Sequence, residues 1–214
     1  MEQECDIWIP SIRPHLAEDC KKSMLPYHAK YYDGSGGKCF SKIMNECIAI
    51  SENEIIFICN DKSRPKPEHF EKTIDLLNQG FGFVGLYRFG FFGFKKDLIR
   101  KIGFFDERLL DGGYEDNDFV TRFKEADVAH YLTEEIPYIQ LPSLWRQQRS
   151  LKHFLNKWDY NPPKLIRRKL PEEKYSYDIG EYRGTEFLKF EDSVFMTYAN
   201  KDWIPMKVLQ YEEK

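Results

Sequence analysis

Apolar residues in the first part of the chain follow two alternating patterns. Cys5–Pro10 and Glu54–Cys59 are short, nearly continuous apolar runs, which are typical of strands buried on both faces of a parallel sheet. Between and after these runs, apolar residues recur every three or four positions and predict helices with one apolar face. Helices are expected to begin near Pro14, to cover Phe40–Ile48, and to run from about Phe70 to Leu77 before Gly80, with a further short strand at Lys30–Tyr32.

The second half of the chain has a different pattern. Phe81–Phe94 is rich in glycine and phenylalanine, a composition that lets the backbone pass close to a ligand or to another strand. A short helix over Lys95–Ile102 is expected to end at Gly103, and Val128–Leu132 is expected to be a strand, whereas the periodicity weakens beyond Pro162. The alternation of strands and helices predicts an α/β fold with a mixed, mostly parallel central sheet flanked by helices.

Composition and charge exclude several classes of protein. The chain has 214 residues, of which 42% are hydrophobic, so it can bury a core and is not a disordered segment. A net charge of −3 is far from the basic excess of dedicated nucleic-acid-binding proteins, and we expect no nucleic-acid partner. No apolar run approaches the roughly 20 residues of a membrane span, and the acidic N-terminus does not resemble a secretory signal. The five cysteines form no CxxC pair, which favours a cytoplasmic protein with buried thiols and without a disulfide framework or zinc site.

Polar residues follow three of the predicted strands at the points where the strands end. Ser11–Arg13 follow the first strand, Asp33–Lys38 follow the second, and Asn60 and Asp61 follow the third. Ligands of parallel α/β sheets bind beyond the carboxyl ends of the strands. The three clusters together therefore indicate a ligand site at this edge more strongly than any one of them does.

Each cluster is compatible with a binding role and with a purely structural one. Asp33 can accept hydrogen bonds from a nucleobase. Gly36, Gly37 and Lys38 lead into a predicted helix whose free N–H groups and dipole favour a diphosphate, although such glycines are also typical of a solvated turn. Asp61 is either a turn former or a ligand for Mg²⁺ or Mn²⁺, which bind one or two carboxylates together with phosphate oxygens.

Two further groups of residues are candidates for chemistry. Glu115, Asp116 and Asp118 lie at the start of a predicted helix, where acids either compensate the helix dipole or, when partly desolvated, act as a general base. His153 lies in a basic stretch and is either a metal or phosphate ligand or an ordinary structural histidine.

The order of these motifs resembles the GT-A glycosyltransferases, particularly the family 2 and galactosyltransferase-like groups, over about residues 5–160. Ile7–Pro14 resembles the opening strand and nucleotide loop, and Lys38–Asp61 resembles the helix, with its asparagine, and the strand that lead to the metal motif. The most specific likeness is Gly103–Glu107 (GFFDE) followed by Tyr114–Phe119 (YEDNDF), which is similar to the acceptor-side signature of that family. Small viral and bacterial nucleotide-sugar transferases look similar overall.

This resemblance implies a Rossmann-like GT-A domain over residues 1–162, with a nucleotide-binding half of about 1–80 and an acceptor half of about 81–162. Residues 163–214 would be an extension packed on the same domain. The implied reaction moves a sugar from a UDP-sugar donor to a hydroxyl of a glycan or glycoprotein, with inversion and with Mn²⁺ or Mg²⁺ as cofactor. The nucleotide residues are Pro10, Ser11, Arg13, Asp33, Gly37, Lys38 and Asn60, among which Ser11, Arg13 and Asp33 would contact the base and Asn60 the ribose. Asp61 and His153 would bind the metal, and Asp116 would be the catalytic base with Glu115 on the acceptor. The sugar pocket would be formed by Tyr87, Arg88 and Phe89.

Two other functions remain open from the sequence. Asn60, Asp61 and Lys62 stand where the family usually has paired acids, which favours a catalytically silent nucleotide- or carbohydrate-binding module as one alternative. A sugar nucleotidyltransferase is the other, although the Gly-rich loop that it needs after the first strand is here the glycine-free Ser11–His15. The transferase hypothesis makes one spatial demand, which is that Asp61 and Asp116 flank a single cleft.

Overall fold

Six strands and five helices make up the part of the chain that the computed structural model describes, which is residues 5–35, 39–109 and 114–139. All six strands belong to one sheet. The helices and strands expected from the apolar periodicity before residue 80 are confirmed, with ends that move by a few residues. The strands are β1 (Cys5–Ser11), β2 (Lys30–Asp33), β3 (Ile55–Cys59), β4 (Phe83–Phe89), β5 (Phe91–Lys95) and β6 (His130–Leu132), and the helices are α1 (Pro14–Ser23), α2 (Phe40–Ala49), α3 (Pro67–Asn78), α4 (Asp97–Ile102) and α5 (Glu115–Glu125).

The described residues divide into two compact units, and the chain passes between them several times. We call them the sheet unit, which contains the whole sheet with α1 and α3, and the helical unit, which contains α2, α5 and most of α4. The expected bounds of the domain and of its C-terminal extension reach beyond the described residues and stay predictions. The sheet unit comprises residues 5–35, 50–98 and 128–139, and the helical unit comprises residues 39–49, 99–109 and 114–127.

The strand order of the sheet is β2-β1-β3-β5-β4-β6. β1 pairs in parallel with β2 and β3, β4 pairs in parallel with β6, and β5 is antiparallel to both of its neighbours. Five strands therefore share one direction and only β5 is reversed. The expected α/β fold with a mixed, mostly parallel sheet is confirmed, and the carboxyl ends of β1, β2, β3 and β4 lie along one edge.

The glycine- and phenylalanine-rich segment forms the β4–β5 hairpin. Its β5 strand inserts between β3 and β4 and meets α3 closely at Gly93. A Cβ atom on Gly93 would lie 2.8 Å from the Thr73 methyl group and 2.9 Å from the Phe57 ring. The close approach that the glycines indicated is therefore an approach to another strand and to a helix, which the absence of a side chain permits.

The core of the sheet unit is built around β3, in which every residue is buried. The ring centroids of Phe57 and of Phe70 in α3 are 4.9 Å apart. Those of Phe70 and of Phe91 in β5 are 5.0 Å apart, in an edge-to-face arrangement. These contacts join the central strand, the reversed strand and the helix that covers them. They provide the aromatic packing on which the strand-end geometry rests.

All five cysteines are free thiols, and the burial expected of them is confirmed for four. Burial raises the pKa of the Cys20 thiol to about 11 and raises that of Cys59 well above its ordinary value. Cys5, at the start of β1, is half-buried, and burial together with the neighbouring Asp6 raises its pKa to about 11. These side chains behave as small apolar groups, in agreement with the sequence.

Asp6 is a buried acid that fastens the start of β1 to the loop before β3. Its carboxylate is 1% exposed and accepts hydrogen bonds from Lys30 Nζ at 2.7 Å and from the backbone N–H groups of Glu52 and Asn53, each at 2.7 Å. Burial acts to raise the pKa of Asp6, but these three donors outweigh it and hold the pKa below 3.8. The ionised form is therefore the one that stabilises the fold.

Asp6→Asn should lower the free energy of unfolding by about 1–3 kcal/mol at pH 7, because the charge-assisted hydrogen bonds are lost. A depressed folded-state pKa means that the contribution of Asp6 is fully present above the unfolded pKa of about 3.9 and disappears as the pH falls through the folded value. Urea unfolding of both proteins at pH 7 and near pH 3 should therefore show the penalty shrinking in acid. Asp19→Asn, an exposed surface acid, is the matched control, and an equal Asp6 penalty at both pH values would contradict this assignment.

The helical unit is held together by two buried polar side chains. Asn45 of α2 donates to the Phe105 carbonyl and to the Glu107 carboxylate, each at 2.9 Å, and accepts from the Phe105 N–H at 2.9 Å. Arg122 of α5 donates to the carbonyls of Ile102 and Phe104 at 2.9 and 2.6 Å. The GFFDE segment noted in the sequence is thus anchored by one side chain from each of two helices.

Asn45→Leu should destabilise the protein by about 2–4 kcal/mol, because it leaves the Phe105 backbone groups and the buried Glu107 carboxylate without these hydrogen bonds. Asn78→Ala, at an exposed helix position, should change stability by less than about 0.5 kcal/mol. Chemical denaturation of the three proteins measures both effects. If Asn45→Leu matched the control, the anchoring role would be wrong.

Several expectations concern residues outside the described ranges. Gly36, Gly37, Lys38, His153 and residues 163–214 lie there, and their expected roles stay predictions. Within the described ranges, every helix is too short or too polar to cross a lipid bilayer.

Candidate functional site

The carboxyl ends of β1, β2 and β3 bring three of the predicted clusters side by side. Ser11 at the end of β1 is the parallel partner of Asp33 at the end of β2. The Ser11 hydroxyl donates to Asp61 Oδ2, which follows the end of β3. Ser11 and Asp61 are 6% and 2% exposed, so this is a buried contact between loops that are 50 positions apart in the sequence.

Arg13 chelates the Asp61 carboxylate with two hydrogen bonds. Arg13 Nε donates to Oδ2 at 2.8 Å and Nη2 donates to Oδ1 at 2.6 Å. The Arg13 backbone N–H donates to the Ser11 hydroxyl at 2.8 Å, which holds the loop after β1 against the acid. The Asp61 side chain is almost fully buried, whereas 35% of the Arg13 side chain is exposed.

Lys62, Tyr87 and Tyr138 extend this cluster toward β4. The Tyr87 and Tyr138 rings stack with centroids 4.3 Å apart, and Lys62 Nζ lies 4.8 Å from the Tyr138 ring centroid. Burial, with Tyr87 and Asp61 adding to it, raises the pKa of Tyr138 to about 12, and burial together with the Arg13 charge lowers the pKa of Lys62. Tyr87 therefore belongs to the same polar patch as Asp61. We call Ser11, Arg13, Asp61, Lys62, Tyr87 and Tyr138 the strand-end patch.

The other two residues expected in the sugar pocket have different surroundings. Arg88 has a left-handed backbone conformation (φ 44°) and pairs with Glu134 at 2.8 Å on the surface. The Phe89 ring lies 4.9 Å from Phe83 and 5.3 Å from Phe92, so it packs along the hairpin. Their place in a sugar pocket stays a prediction, and Tyr87 is the member that contacts the strand-end patch.

The remaining nucleotide candidates of the sheet unit lie around the strand-end patch. Pro10 is buried within β1. The Asp33 carboxylate accepts from the Ser35 N–H and hydroxyl, each at 2.9 Å, in an exposed turn. Asn60 Oδ1 accepts from the Lys62 N–H at 3.0 Å, which shapes the turn after β3. These side chains lie at the ligand edge of the sheet, and their contacts with a nucleotide stay predictions.

The acids at the start of α5 divide into two kinds. Asp118 is buried and pairs with Arg122 at 2.7 Å, so it belongs to the structure of the helical unit. Asp116 and Glu115 are half-buried in the first turn, and Asp116 Oδ1 accepts the Asn117 N–H at 2.8 Å. These two acids lie in the helical unit and Asp61 in the sheet unit, and their expected meeting in one cleft stays a prediction.

The described residues do not offer a donor set that fits a divalent cation. None of their histidine, cysteine, aspartate and glutamate side chains form a group of three that could hold a metal. Asp61 is the single acid at its strand end, and both of its oxygens accept from the Arg13 guanidinium. A Mg²⁺ or Mn²⁺ ion bound there would face a full positive charge at a distance of one hydrogen bond. His153, the other expected ligand, is outside the described ranges.

Sequence reasoning missed the Arg13–Asp61 pair and Tyr138. The resemblance gives Arg13 a contact with the base and Asp61 a contact with a metal, and the sequence places both at neighbouring strand ends without indicating that they pair. Tyr138 follows β6 in a segment without a motif, and it reaches the patch through a backbone bridge to Ser63. Tyr138 could be identified only from knowledge of which segments pair, because the bridge to Ser63 joins positions that are distant in the sequence.

Comparison with solved structures identifies the fold. No protein-family model matches the chain, and no curated protein matches its sequence. The mannosyltransferase PcManGT from Pyrobaculum calidifontis, in complex with GDP-Man and Mn²⁺, has a TM-score of 0.54 at 11% identity, and the match covers 70% of this chain. A lower similarity is found to glucosyl-3-phosphoglycerate synthase from Mycobacterium tuberculosis, with a TM-score of 0.49 at 10% identity over 66% of this chain and 74% of the other. A Drosophila β1,4-galactosyltransferase 7 mutant has a TM-score of 0.46 at 11% identity, and the match covers 68% of this chain and 78% of the other.

The strand order and the similarity to the mannosyltransferase define a GT-A, Rossmann-like fold, which confirms the expectation from the resemblance. At 11% identity the likeness establishes the fold alone. The chain spans 62% of the length of the mannosyltransferase. The family 2 or galactosyltransferase-like assignment and a viral or bacterial relationship stay predictions.

The Tyr87–Tyr138 stack should couple the end of β4 to the segment after β6. A double-mutant cycle with leucine at both positions should give a coupling energy of about 0.5–1.5 kcal/mol, because a parallel aromatic pair contributes beyond its buried area. Unfolding free energies of the two single variants and the double variant provide the measurement. Strict additivity of the two substitutions would show that the stack does not join these segments.

Proposed function

We propose that the chain is a glycosyltransferase that moves a sugar from a UDP-sugar donor to a hydroxyl group of a glycan or glycoprotein, with inversion. The observation that carries this proposal is the strand-end patch, a buried ionic cluster at the carboxyl ends of β1 and β3 in a GT-A fold. Ligands of open α/β sheets bind at this edge, next to the point where the strand order reverses. Buried charge that is not needed to build the core is typical of such sites.

The nucleotide is assigned to the sheet unit. Asp33 is suited to accept hydrogen bonds from base N–H groups, and Asn60 is suited to contact the ribose. The backbone and hydroxyl of Ser11 and the guanidinium of Arg13 face the same edge. Pro10 completes the proposed nucleotide contacts within the sheet unit, and Gly37 and Lys38, outside the described ranges, are proposed to bind the phosphates.

The chemical step is assigned to the helical unit. Asp116 takes the proton of the acceptor hydroxyl, and Glu115 accepts a hydrogen bond from the acceptor sugar. The acceptor oxygen forms a bond to the anomeric carbon from the side opposite the diphosphate, and the bond between that carbon and the leaving oxygen breaks. The electron pair leaves with the diphosphate, whose charge is stabilised by nearby cationic side chains. The expected outcome is inversion at the anomeric carbon.

A divalent cation enters this proposal only as an expectation. The structure of the mannosyltransferase contains Mn²⁺, and the resemblance places Mn²⁺ or Mg²⁺ at Asp61 and His153. A cation bound there would neutralise charge on the diphosphate. Because the described donor set does not fit a divalent cation, we assign no step to it.

The sugar pocket is proposed to include Tyr87, Arg88 and Phe89.

A catalytically silent nucleotide-binding module is the second candidate. The observation that favours it is the engagement of Asp61 by Arg13, since this acid is then not presented to a metal. Such a module would bind nucleotides and nucleotide sugars without producing a transferred sugar. Assays of binding and of transfer on the same preparation separate the two functions.

Asp116→Asn should lower sugar transfer by about 10²–10⁴-fold, because the amide cannot accept the hydroxyl proton. Nucleotide binding should remain nearly unchanged, since the substitution keeps size and shape. Product formation from UDP-sugars with a panel of mono- and disaccharide acceptors, followed by mass spectrometry, measures transfer, and thermal shifts with UDP, GDP and CMP measure binding.

Asp127→Asn is the matched control for this experiment. It removes an exposed carboxylate just beyond the other end of the same helix, and it should leave both readouts unchanged. Loss of nucleotide binding together with transfer in Asp116→Asn would exclude the role of Asp116 as base. Nucleotide binding by the native chain without transfer to any acceptor would favour the silent module.

A further inference from the structure

The Asp61 carboxylate is already occupied by protein donors. It is 2% exposed and receives three hydrogen bonds, two from Arg13 and one from Ser11. A buried carboxylate in a two-point contact with a guanidinium is a strong, directional ion pair. A metal at Asp61 would compete with the guanidinium for the same two oxygens, and displacing the guanidinium would leave its charge without this partner.

The same guanidinium keeps donors for another anion. Nε and Nη2 of Arg13 bind Asp61, whereas Nη1 has no hydrogen-bond partner among the residues that the structure describes. The 35% exposure of the side chain is consistent with access from solvent. Arg13 is also the residue that precedes α1, whose N–H groups and dipole favour negative charge at this end.

Lys62 adds a second positive charge next to Arg13. Its ammonium lies over the Tyr138 ring at 4.8 Å and, within residues 5–35, 39–109 and 114–139, has no carboxylate within ion-pair distance. Arg13, Lys62 and Asp61 together carry one net positive charge. Two cations gathered around one buried acid are stabilised when an anion binds between them and solvent.

We propose that Arg13 and Lys62 bind the diphosphate of the nucleotide directly, without a divalent cation, and that Asp61 is a positioning residue that holds the Arg13 guanidinium. The inference rests on the proposed function in taking the ligand to be a nucleoside diphosphate. It changes the expected roles of two residues: Arg13 acts on the diphosphate and not on the base, and Asp61 acts through Arg13 and not through a metal.

The first test compares UDP affinity of the full chain in EDTA with its affinity in Mn²⁺, by isothermal titration. The two dissociation constants should agree within about threefold. Arg13→Gln and Lys62→Met should each weaken UDP binding by about 10-fold or more, because each removes a charged contact. Both variants should leave the weaker binding of uridine, followed by ligand-observed NMR, unchanged within about twofold. Lys22→Gln, which removes an exposed cation of α1, is the matched control.

The second test is a double-mutant cycle between Arg13 and Asp61. Asp61→Asn should weaken UDP binding by about 5–10-fold, equally in EDTA and in Mn²⁺, and should have no further effect in the Arg13→Gln background. If Asp61 had a purely structural role, the effect of Asp61→Asn would not depend on Arg13, and UDP and uridine binding would be weakened alike. Thermal unfolding without nucleotide checks the fold of each variant, and Lys62→Met, which leaves the Asp61 contacts intact, keeps the test decisive if Arg13→Gln does not fold.

The outcomes separate this inference from the proposed function. UDP binding that EDTA abolishes and Mn²⁺ restores would overturn the inference, as would unchanged UDP affinity in Arg13→Gln, while glycosyl transfer could still be observed. Failure of the transferase proposal would instead appear as metal-independent UDP binding without a transferred sugar. If neither UDP nor GDP bound under any condition, the inference would be overturned, and a UDP-sugar would be excluded as the donor in the proposed function.

Discussion

A negative charge buried at the end of the central strand is the constraint around which the ligand edge of this sheet is organised. Every residue of β3 is buried, and Asp61 follows it within a turn that is nearly inaccessible to water. An isolated carboxylate in such a position would be strongly unfavourable. The last residue of β1 and the loop after it offset this cost, because the Ser11 hydroxyl and the Arg13 guanidinium both donate to the acid.

This arrangement also explains why the reversed strand matters for the site. β5 inserts between β3 and β4 and turns back through Gly90, whose carbonyl accepts the Asn60 N–H at 2.7 Å. The hairpin thus supports the turn that carries Asp61 and places Tyr87 next to it. The β4–β5 hairpin therefore connects the aromatic packing of the core to the ionic contacts at the edge of the sheet.

The sequence allowed the elements and the ligand edge to be predicted, because both depend on local periodicity and on the direction of parallel strands. β3 and α2 follow directly from apolar spacing. The β4–β5 hairpin was not predicted, since its position between β3 and β4 depends on pairing between distant segments. The contact of Arg13 with Asp61, 48 positions away, depends on side-chain conformation and could not be obtained from spacing.

The acids of α5 show the same limit in the helical unit. From the sequence, each of the three carboxylates at the start of α5 could be the catalytic base. In the structure, Asp118 is buried and pairs with Arg122, whereas Glu115 and Asp116 are half-buried. Asn45, by contrast, was noted in the resemblance only as a helical asparagine. Its three buried hydrogen bonds give it a clear architectural role, because no apolar residue could satisfy the same backbone groups.

The enclosed thiols of the sheet unit have a practical consequence. Cys20 and Cys59 combine complete burial with a strongly suppressed tendency to ionise, and the thiolate is the form that reacts with alkylating dyes. A maleimide added at neutral pH would therefore modify these positions only in molecules whose interior has opened. The rate of their labelling, resolved by peptide mapping, would report transient opening of the sheet without any engineered probe.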